Sequence, residues 1–346
     1  MKPLIVPFFI SHQGCPHQCI FCDQERISGQ RGGLPQPAEM IDAIDRFTAS
    51  GSGRPLEAAF YGGTFTSLPW CDQERLLAPL QPLLATGRVT RVRLSTRPDA
   101  VDDEAALFLR ARGVSAVELG VQSMDDEVLE AAGRGHAAVH VEQAFACLHG
   151  AGIAVGAQLM PGLPGASAAS DLGSLERVLA LSPSFVRIYP TVVVAGTRLA
   201  DLWRSGGYTP LSLDDAVSLC AALLRRCLGV GVPVIRIGLQ PTEELERPGT
   251  ILAGPWHPAF RQLVESELFC GLLERLAAVI PAGSELEVLC APPRVSDVTG
   301  QRRRNLARLR ERYGIAVTRV IGNDRLSPYD IEIVHPGGTI AGNVLD

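Results

Sequence analysis

The sequence predicts an α/β fold in which an open, partial (β/α)6 barrel of TIM-like type precedes a small C-terminal α/β appendage. Two observations support this prediction. Short apolar runs rich in β-branched and aromatic residues alternate with segments whose apolar residues recur at helical spacing, which is the pattern of a parallel sheet covered by helices. Six such units occur before residue 195, too few for the eight of a closed barrel.

The six barrel strands follow directly from their composition. They are predicted at Leu4–Ser11, Leu56–Tyr61, Arg91–Ser95, Val114–Val121, Ile153–Met160 and Phe185–Tyr189. The helices between them are predicted from Pro37 onward, over Trp70–Leu84 with a break at Pro79 and Pro82, and over Val101–Arg112, Asp125–Ala132, Ala137–His149 and Ala168–Leu181. Because chemistry in such folds gathers at the carboxyl ends of the strands, the loops there are the candidate site.

The rest of the chain predicts an extension and the appendage. Helical patterns cover Leu199–Ser205 and Ser212–Leu228, and a strand covers Val232–Gly238. The appendage has strand patterns at Glu285–Cys290, Ile315–Ile321 and Asp330–Val334 around a helix predicted over Asp297–Tyr313. We therefore predict three domains, at 1–195, 196–275 and 276–346.

Composition limits the class of protein. Of the 346 residues, 46% are hydrophobic and 20% charged, as in a globular protein with a sizeable core, and the net charge of −5 disfavours unspecific coating of nucleic acid. No apolar run approaches the ~18 residues of a membrane span. Nine cysteines and an N-terminus unlike a signal peptide predict a reducing, cytoplasmic location. Cys220 and Cys227 share a helical face with Val217 and Leu224, which favours burial over metal binding.

Three cysteines follow the first predicted strand with spacings of three and two residues. Cys15, Cys19 and Cys22 are close enough for three corners of one [4Fe–4S] cluster, and such short thiolate runs are typical of iron–sulfur ligation. The fourth iron then has no protein ligand and can bind a small molecule. A zinc site is the alternative, with His12 or His17 as the fourth ligand.

This CxxxCxxC motif after a strand resembles the signature of the radical S-adenosylmethionine (SAM) enzymes. The resemblance implies a [4Fe–4S] cluster whose open iron is chelated by the amino and carboxylate groups of SAM. It also implies an external one-electron donor of flavodoxin or ferredoxin type. Cleavage of SAM would release a 5′-deoxyadenosyl radical, which abstracts hydrogen from a substrate.

Further residues match SAM-binding positions of this superfamily. Gly62, Gly63 and Thr64 follow the second strand and resemble the glycine motif that binds the amino end of SAM. Gln122 and Arg134 resemble the ribose and carboxylate contacts of oxygen-independent coproporphyrinogen oxidase.

At three other positions, one residue matches the related enzymes and two depart from them. Phe21 resembles the aromatic residue beside the adenine. Gln158 stands where related enzymes often carry an acidic ribose ligand, and Ser95 stands where they carry a glutamate. An uncharged glutamine side chain can still form a hydrogen bond with a ribose hydroxyl.

A closer resemblance is to the radical SAM part of the Elongator catalytic subunit, over residues 3–240. The matching segments are Cys15–Cys22, Tyr61–Phe65, Thr96–Asp99, Glu118–Ser123, Met160–Pro164, Arg187–Thr191, Gly196–Thr197, Leu202–Tyr208 and Arg236–Ile237. That subunit also carries an acetyltransferase domain, and the short appendage here has no room for one. We therefore expect that acetyl-CoA-dependent modification of the wobble uridine does not carry over.

The substrate stays open. Arg302, Arg303, Arg304 and Arg308, with Arg310 and Arg312, could bind tRNA phosphates, but such a cluster favours a solvated helix face whose arginine stems pack on apolar surface. Tyr189, at a strand end, is a candidate radical-site or substrate residue, or a core tyrosine. The alternatives are an enzyme for a small metabolite or porphyrin, and a cluster- or haem-handling protein without turnover.

Overall fold

The computed structural model describes residues 3–16, 18–30, 32–51 and 53–346. The first elements are β1 Leu4–Phe9, α1 Gln24–Ser28, α2 Pro37–Ser50, β2 Leu56–Tyr61, α3 Trp70–Leu77, α4 Gln81–Ala85, β3 Val89–Thr96, α5 Asp103–Ala111, β4 Val114–Gln122, α6 Asp126–Ala131, α7 Ala138–Gly150, β5 Ala154–Leu159, α8 Ala168–Ala180, β6 Phe185–Ile188, β7 Val193–Val194 and α9 Arg198–Arg204. They continue as α10 Leu213–Gly229, β8 Val234–Ile237, α11 Glu243–Glu246, β9 Ile251–Ala253, α12 Phe260–Ala277, β10 Glu285–Cys290, α13 Val295–Thr299, α14 Arg304–Tyr313, β11 Ala316–Gly322, β12 Asp330–His335 and β13 Gly338–Asn343.

The chain divides into two compact units. The first contains Met1–Leu211 and Leu239–Trp256, and the second contains Ser212–Gly238 and His257–Asp346. The three domains predicted from the sequence divide the chain differently, and their boundaries stay a prediction.

Strands β1 to β6 of the first unit lie side by side in chain order, and every neighbouring pair is parallel. Parallel connections are almost always right-handed, so an order that never reverses puts all the connecting helices on one face of the sheet. This is the winding of a barrel and not of a doubly wound sheet. The predicted partial (β/α)6 barrel is therefore confirmed, and the strands' carboxyl ends share one edge.

The two faces of these strands differ in chemistry. On one face, alternate residues are apolar and buried: Leu56, Ala58 and Phe60 of β2, Val92 and Leu94 of β3, and Val117 and Leu119 of β4. Helices α4, α5 and α7 pack against β3, β4 and β5. The residues between them include Glu57, Arg93, Glu118 and Arg187, which bond to one another across β2, β3, β4 and β6. The interior of the partial barrel is therefore polar, because strand residues alternate between faces.

Local signals set the helix bounds. The Asp102 carboxylate accepts the amide of Ala105 at 2.8 Å and starts α5, and Pro37 occupies the first turn of α2. The break predicted at Pro79 and Pro82 is confirmed, because a 3₁₀ turn over Ala78–Leu80 separates α3 from α4.

The second unit contains the predicted appendage strands and elements that the sequence pattern did not reveal. Its sheet has the order β11-β10-β12-β13, parallel between β10 and β11 and antiparallel elsewhere. Strand β13 and the 18-residue helix α12 were not predicted. Helix α12 is buried on several sides, from Phe260 and Val264 to Phe269, Leu273 and Ala277. Its sequence therefore lacks the polar stripe that marks a surface helix.

The prediction of a single helix over Asp297–Tyr313 is wrong, because the structure has two helices there, α13 and α14. Helix α13 ends at Gly300, and Arg302 and Arg303 have left-handed φ angles of 52° and 62° before α14 begins. The buried side-chain amide of Asn305 donates to the carbonyl oxygens of Asp297 and Val298, both at 3.1 Å. The end of α13 is thus closed by a side chain from the next helix, and the arginines do not lie on one continuous helix.

The cysteines outside the motif behave as the sequence predicts. None of the nine cysteines, all in the described part of the chain, forms a disulfide, and Cys220 and Cys227 are fully buried in α10. Among the described residues, no helix has both the length and the apolar character needed to cross a membrane.

Candidate active site

The cysteine loop lies directly after β1, against the loops that follow the neighbouring strands. Cys15 is exposed, Cys22 is half-buried and Cys19 is buried. The amide of Ile20 donates to the carbonyl of Ala132 at 3.2 Å, and the carbonyl of Ile20 accepts the amide of Leu199 at 2.7 Å. Phe21 is 7% exposed and belongs to an apolar cluster with Ile20, Leu163 and Tyr208. The loop is therefore held by two distant segments as well as by β1.

Within the described parts of the chain, each of the three sulfurs has one side chain at hydrogen-bond distance, and the three side chains come from different segments. Cys15 Sγ lies 3.3 Å from the Thr64 hydroxyl, and Cys19 Sγ accepts from an Arg134 terminal nitrogen at 3.1 Å. Cys22 Sγ accepts from the Gln24 side-chain amide at 3.5 Å. Burial, followed by the charges of neighbouring Cys19 and, more weakly, Cys15, raises the pKa of Cys22 to about 12. Burial and the charges of the neighbouring cysteines therefore oppose ionisation of Cys22 in the absence of a cation.

Backbone hydrogen bonds from the glycine motif, Gly62–Thr64, hold the segment that leads into the cysteine loop. The carbonyl of Gly62 accepts the amide of His12 at 2.9 Å, and the amide of Thr64 donates to the carbonyl of Gln13 at 2.9 Å. A Cβ on Gly63 would lie 2.5 Å from the Gln13 carbonyl oxygen and closer still to that of Ile10. Gly63 therefore lets the end of β2 approach the loop that carries the cysteines.

We expect the Gly63→Ala variant to bind far less cluster iron than the unaltered protein. The added methyl group would clash with two backbone oxygens, which cannot rotate away as a side chain can. The measurement is iron and sulfide per chain after anaerobic reconstitution. Gly173→Ala is the matched control, since Gly173 lies in α8 with open space around its Cβ position. The control should load normally and gain up to about 1 kcal/mol of stability. Normal loading of Gly63→Ala would show that this approach is unimportant.

The two glutamines predicted to face the ribose of SAM lie together. Gln122 ends β4 in a left-handed conformation with a φ of 67° and is buried, and the Gln158 amide donates to its side-chain oxygen at 3.3 Å. A non-glycine residue with positive φ is uncommon and often marks a functional position. The strand edge therefore presents two neutral amides where related enzymes often carry an acid.

Arg134 is held by residues that the sequence pattern did not single out as functional. It is 5% exposed, and one terminal nitrogen donates to the Gly120 carbonyl at 2.6 Å. Arg97 donates to the Arg134 carbonyl and pairs in bidentate fashion with Asp99 at 2.9 and 2.8 Å. The Nε of Arg134 is buried with no partner among the described residues. Arg134 therefore keeps one N–H to donate.

His136 is buried beside the same arginine. Burial, with a smaller contribution from the charge of Arg134, lowers the pKa of His136 to about 3. The imidazole is therefore neutral at physiological pH.

A charged network fills the barrel interior below these loops. One carboxylate oxygen of Glu118 accepts from both Arg93 and Arg187 at 2.9 Å, and Arg93 also donates to Glu57 at 2.5 Å. Arg187 donates to the Tyr189 hydroxyl at 3.0 Å, and its Nε is buried without a partner in the described chain. The structure thus places Tyr189 on this network at the end of β6.

The loop after β5 is anchored by two groups that the sequence did not indicate. The Asp171 carboxylate accepts the amide of Gly162 at 3.0 Å, and the Tyr208 hydroxyl donates to the Gly162 carbonyl at 2.6 Å. Burial raises the pKa of Asp171 to about 6. This loop therefore has a fixed place beside the cysteine-loop cluster that contains Leu163.

The donor set fits an iron–sulfur cluster. Its ligands are three thiols, each with an O–H or N–H group beside the sulfur, and the guanidinium of Arg134 offsets thiolate charge. The His12 ring nitrogen Nε2 accepts the backbone amide of Gln24 at 2.9 Å, which occupies that nitrogen. Among the described residues, no group of three His, Cys, Asp or Glu side chains is arranged to hold a single metal ion. His17, the other predicted zinc ligand, lies outside the described residues.

Two family profiles match this chain. A profile described as "Radical SAM superfamily" matches residues 9–175, and one described as "Radical_SAM C-terminal domain" matches residues 183–269. Together they cover more than half of the chain.

The chain belongs to the radical SAM superfamily. The cofactors of this superfamily are a [4Fe–4S] cluster and SAM, so family membership favours the cluster over zinc. The predicted resemblance is confirmed.

Curated relatives of this radical SAM protein include tRNA-modifying enzymes. It is 27% identical over 256 residues to the tRNA uridine(34) acetyltransferase of Methanocaldococcus infernus, covering 62% of this chain and 48% of that protein. It is 32% identical over 189 residues to Elongator complex protein 3 of Homo sapiens, covering 49% of this chain and 35% of that protein. The chain spans about half or less of the length of these relatives.

A solved structure supports the fold. The archaeal Elp3 of Methanocaldococcus infernus with an N-terminal deletion aligns with a TM-score of 0.60 at 22% identity, covering 76% of this radical SAM chain and 62% of that one. At this identity the likeness shows the fold alone.

Proposed function

We propose that this radical SAM protein is an enzyme whose cluster is bound by Cys15, Cys19 and Cys22 and whose substrate is a base in tRNA. The observation that supports the cluster site is the meeting of three thiols, each with its own side-chain donor, at the strand ends of a partial barrel. When bound, the cluster supplies the electron that cleaves SAM to the radical that abstracts hydrogen from the substrate.

The SAM-binding groups surround the cysteine loop. Gly62, Gly63 and Thr64 offer backbone groups to the amino end of SAM, and the unpartnered Nε of Arg134 offers a donor to its carboxylate. Gln122 and Gln158 offer amides to the ribose hydroxyls. Phe21 provides an apolar wall for the adenine. Uncharged glutamines can bind hydroxyls, so the departure from an acidic ligand is compatible with SAM binding.

The substrate would lie over the polar interior of the barrel. Arg187 and Tyr189 are at the end of β6, and the buried Nε of Arg187 still has a hydrogen bond to donate. We propose that these two residues orient the substrate. An external one-electron donor of flavodoxin or ferredoxin type would reduce the cluster, in the reducing cytoplasm that nine cysteines favour.

The tRNA-modifying enzymes among the relatives support a tRNA substrate. In the second unit, fewer arginines are available to contact RNA than the sequence pattern predicted. Arg308 donates to Glu267 at 3.1 Å and to Glu274 at 2.8 Å, so its charge is compensated. Arg304 pairs with Asp214. Arg302 and Arg303 are exposed on the turn before α14. We propose that these two arginines bind RNA phosphates.

The experiment that tests the function is 5′-deoxyadenosine formation by anaerobically purified, reconstituted protein. Unmodified tRNA, a short RNA, a porphyrinogen and a panel of small metabolites would be compared in the presence of a reductant. A rise with tRNA supports the proposal, and a rise with a metabolite alone overturns the substrate class. A loaded cluster without SAM cleavage under any condition would indicate a cluster-handling protein without turnover.

The RNA contact has its own control. The double variant Arg302→Ala, Arg303→Ala should bind tRNA more weakly and reduce the dependence of the logarithm of affinity on salt by about one per arginine. Arg204→Ala, an exposed arginine paired with Asp201 in the first unit, should bind tRNA as the unaltered protein does.

A further inference from the structure

The side chain of Gln24 contacts a cysteine sulfur but has no role in the proposed SAM site. Thr64 and Arg134 contact Cys15 and Cys19, and both are also proposed SAM ligands. Gln24 contacts Cys22, comes from α1, and matches no SAM-binding motif of the sequence. It is therefore the residue through which the cluster can be affected without removing a proposed contact to SAM.

Both backbone polar groups of Gln24, the amide and the carbonyl, accept or donate a hydrogen bond that fixes its position. Its amide donates to the ring nitrogen Nε2 of His12 at 2.9 Å, and its carbonyl oxygen accepts the Ser28 hydroxyl at 2.6 Å. Asp23 caps α1 by accepting the amide of Arg26 at 3.0 Å. The helix that begins at Gln24 is thus anchored to the loop that precedes the cysteines.

The side-chain amide is oriented as a donor to sulfur. Its nitrogen lies 3.5 Å from Cys22 Sγ, and its oxygen points toward Gly62, 3.5 Å from where a Cβ on that glycine would lie. The opposite orientation would place the amide oxygen against a thiolate, and two acceptors repel each other.

We infer that Gln24 raises the reduction potential of the cluster by donating a hydrogen bond to the sulfur of Cys22. Hydrogen bonds to the sulfurs are one of the protein's means of setting the potential of an iron–sulfur cluster. An added electron increases the negative charge on the sulfurs, so an N–H donor stabilises the reduced state more than the oxidised state. Gln24 is thus a positioning and tuning residue, not a catalytic one, and the inference rests on the proposed cluster ligands.

The test is the midpoint potential of the reconstituted protein without SAM or substrate, followed by electron paramagnetic resonance. Gln24→Leu should lower the equilibrium constant for one-electron reduction about tenfold, a shift of about 59 mV toward more negative potential. Gln24→Glu, which keeps the size but replaces the donor by an acceptor, should shift the potential further in the same direction. An unchanged potential in both variants overturns the inference.

A control separates this inference from the proposed function. Gln18→Leu makes the same substitution within the cysteine loop, at an exposed side chain, and should leave the potential unchanged. If the unaltered protein binds no cluster, the proposed function fails first. If it binds one and Gln24→Leu loads iron normally with an unshifted potential, only the role of Gln24 fails. If Gln24→Leu loads no iron, Gln24→Glu supplies the potential, and loss of loading in both variants contradicts a tuning role.

Discussion

Cys19→Ala abolishes the cluster and with it SAM cleavage: this is the expected result with the largest effect on activity. Cys19 is the buried member of the three thiols, and its sulfur accepts from Arg134 at 3.1 Å. Removing it leaves two protein ligands for a cluster that needs three, and the Arg134 guanidinium loses one of its acceptors while keeping the Gly120 carbonyl. The measurements are iron and sulfide per chain, the visible absorbance of the cluster, and 5′-deoxyadenosine after reduction.

Cys71→Ala is the control for that experiment. Cys71 is exposed and lies on α3, outside the motif, so its removal should leave iron content and SAM cleavage unchanged. Undiminished 5′-deoxyadenosine formation by Cys19→Ala would contradict the ligand assignment. Loss of activity in both variants would point instead to general damage by substitution of cysteine.

Glu118→Ala should destabilise the protein by about 3–5 kcal/mol, the cost of breaking a buried ion pair by removing one partner. The Glu118 side chain is 4% exposed and joins Arg93 to Arg187, which are 12% and 17% exposed. Its loss leaves two arginines in a poorly solvated interior with less negative charge to compensate them. The measurement is the free energy of unfolding from urea titration of the protein without cofactors.

Glu142→Ala is the matched control for the buried network. Glu142 pairs with Arg177 at 2.7 Å, but both side chains are about half exposed, at 46% and 49%. Pairs of this kind contribute between about 0 and 1 kcal/mol. Glu118→Gln keeps the size and an acceptor, so it should lie between the two alanine variants. Equal effects of Glu118→Ala and Glu142→Ala would show that the interior network adds little stability.

Prediction of the barrel succeeded because its signals are local. Strand β2 was predicted at its observed bounds, since Leu56–Tyr61 is an apolar run interrupted only by Glu57 and followed by two glycines. Chain order of the strands belongs to the barrel winding, so the prediction of a partial barrel included the strand order as well. Helix α12 was missed for the opposite reason, because burial on several sides removes the polar stripe by which a helix is recognised.

The residues of the candidate site also fall into those with a local sequence signal and those without one. The cysteines, the glycine motif and Arg134 were found because their spacing in sequence resembles that of a superfamily. Gln24 had no such signal. Arg97 and Glu118 lie in segments that resemble the Elongator subunit, but the sequence pattern assigned neither of them a role. The partners of Glu118 lie 25 and 69 residues away in sequence, at Arg93 and Arg187, and only pairing of the strands brings them together.

The sequence by itself determined the class of fold, the spacing of the three cysteines and the resemblance to the superfamily, because each depends on residues close together along the chain. Only the tertiary structure decided which side chains face each sulfur, that the barrel interior is a compensated ion network, and that the arginines near Gly300 are split between a turn and a helix. Those features depend on contacts between segments far apart in sequence. Their free energies are set by burial and by distances that form only when the strands and loops pack together.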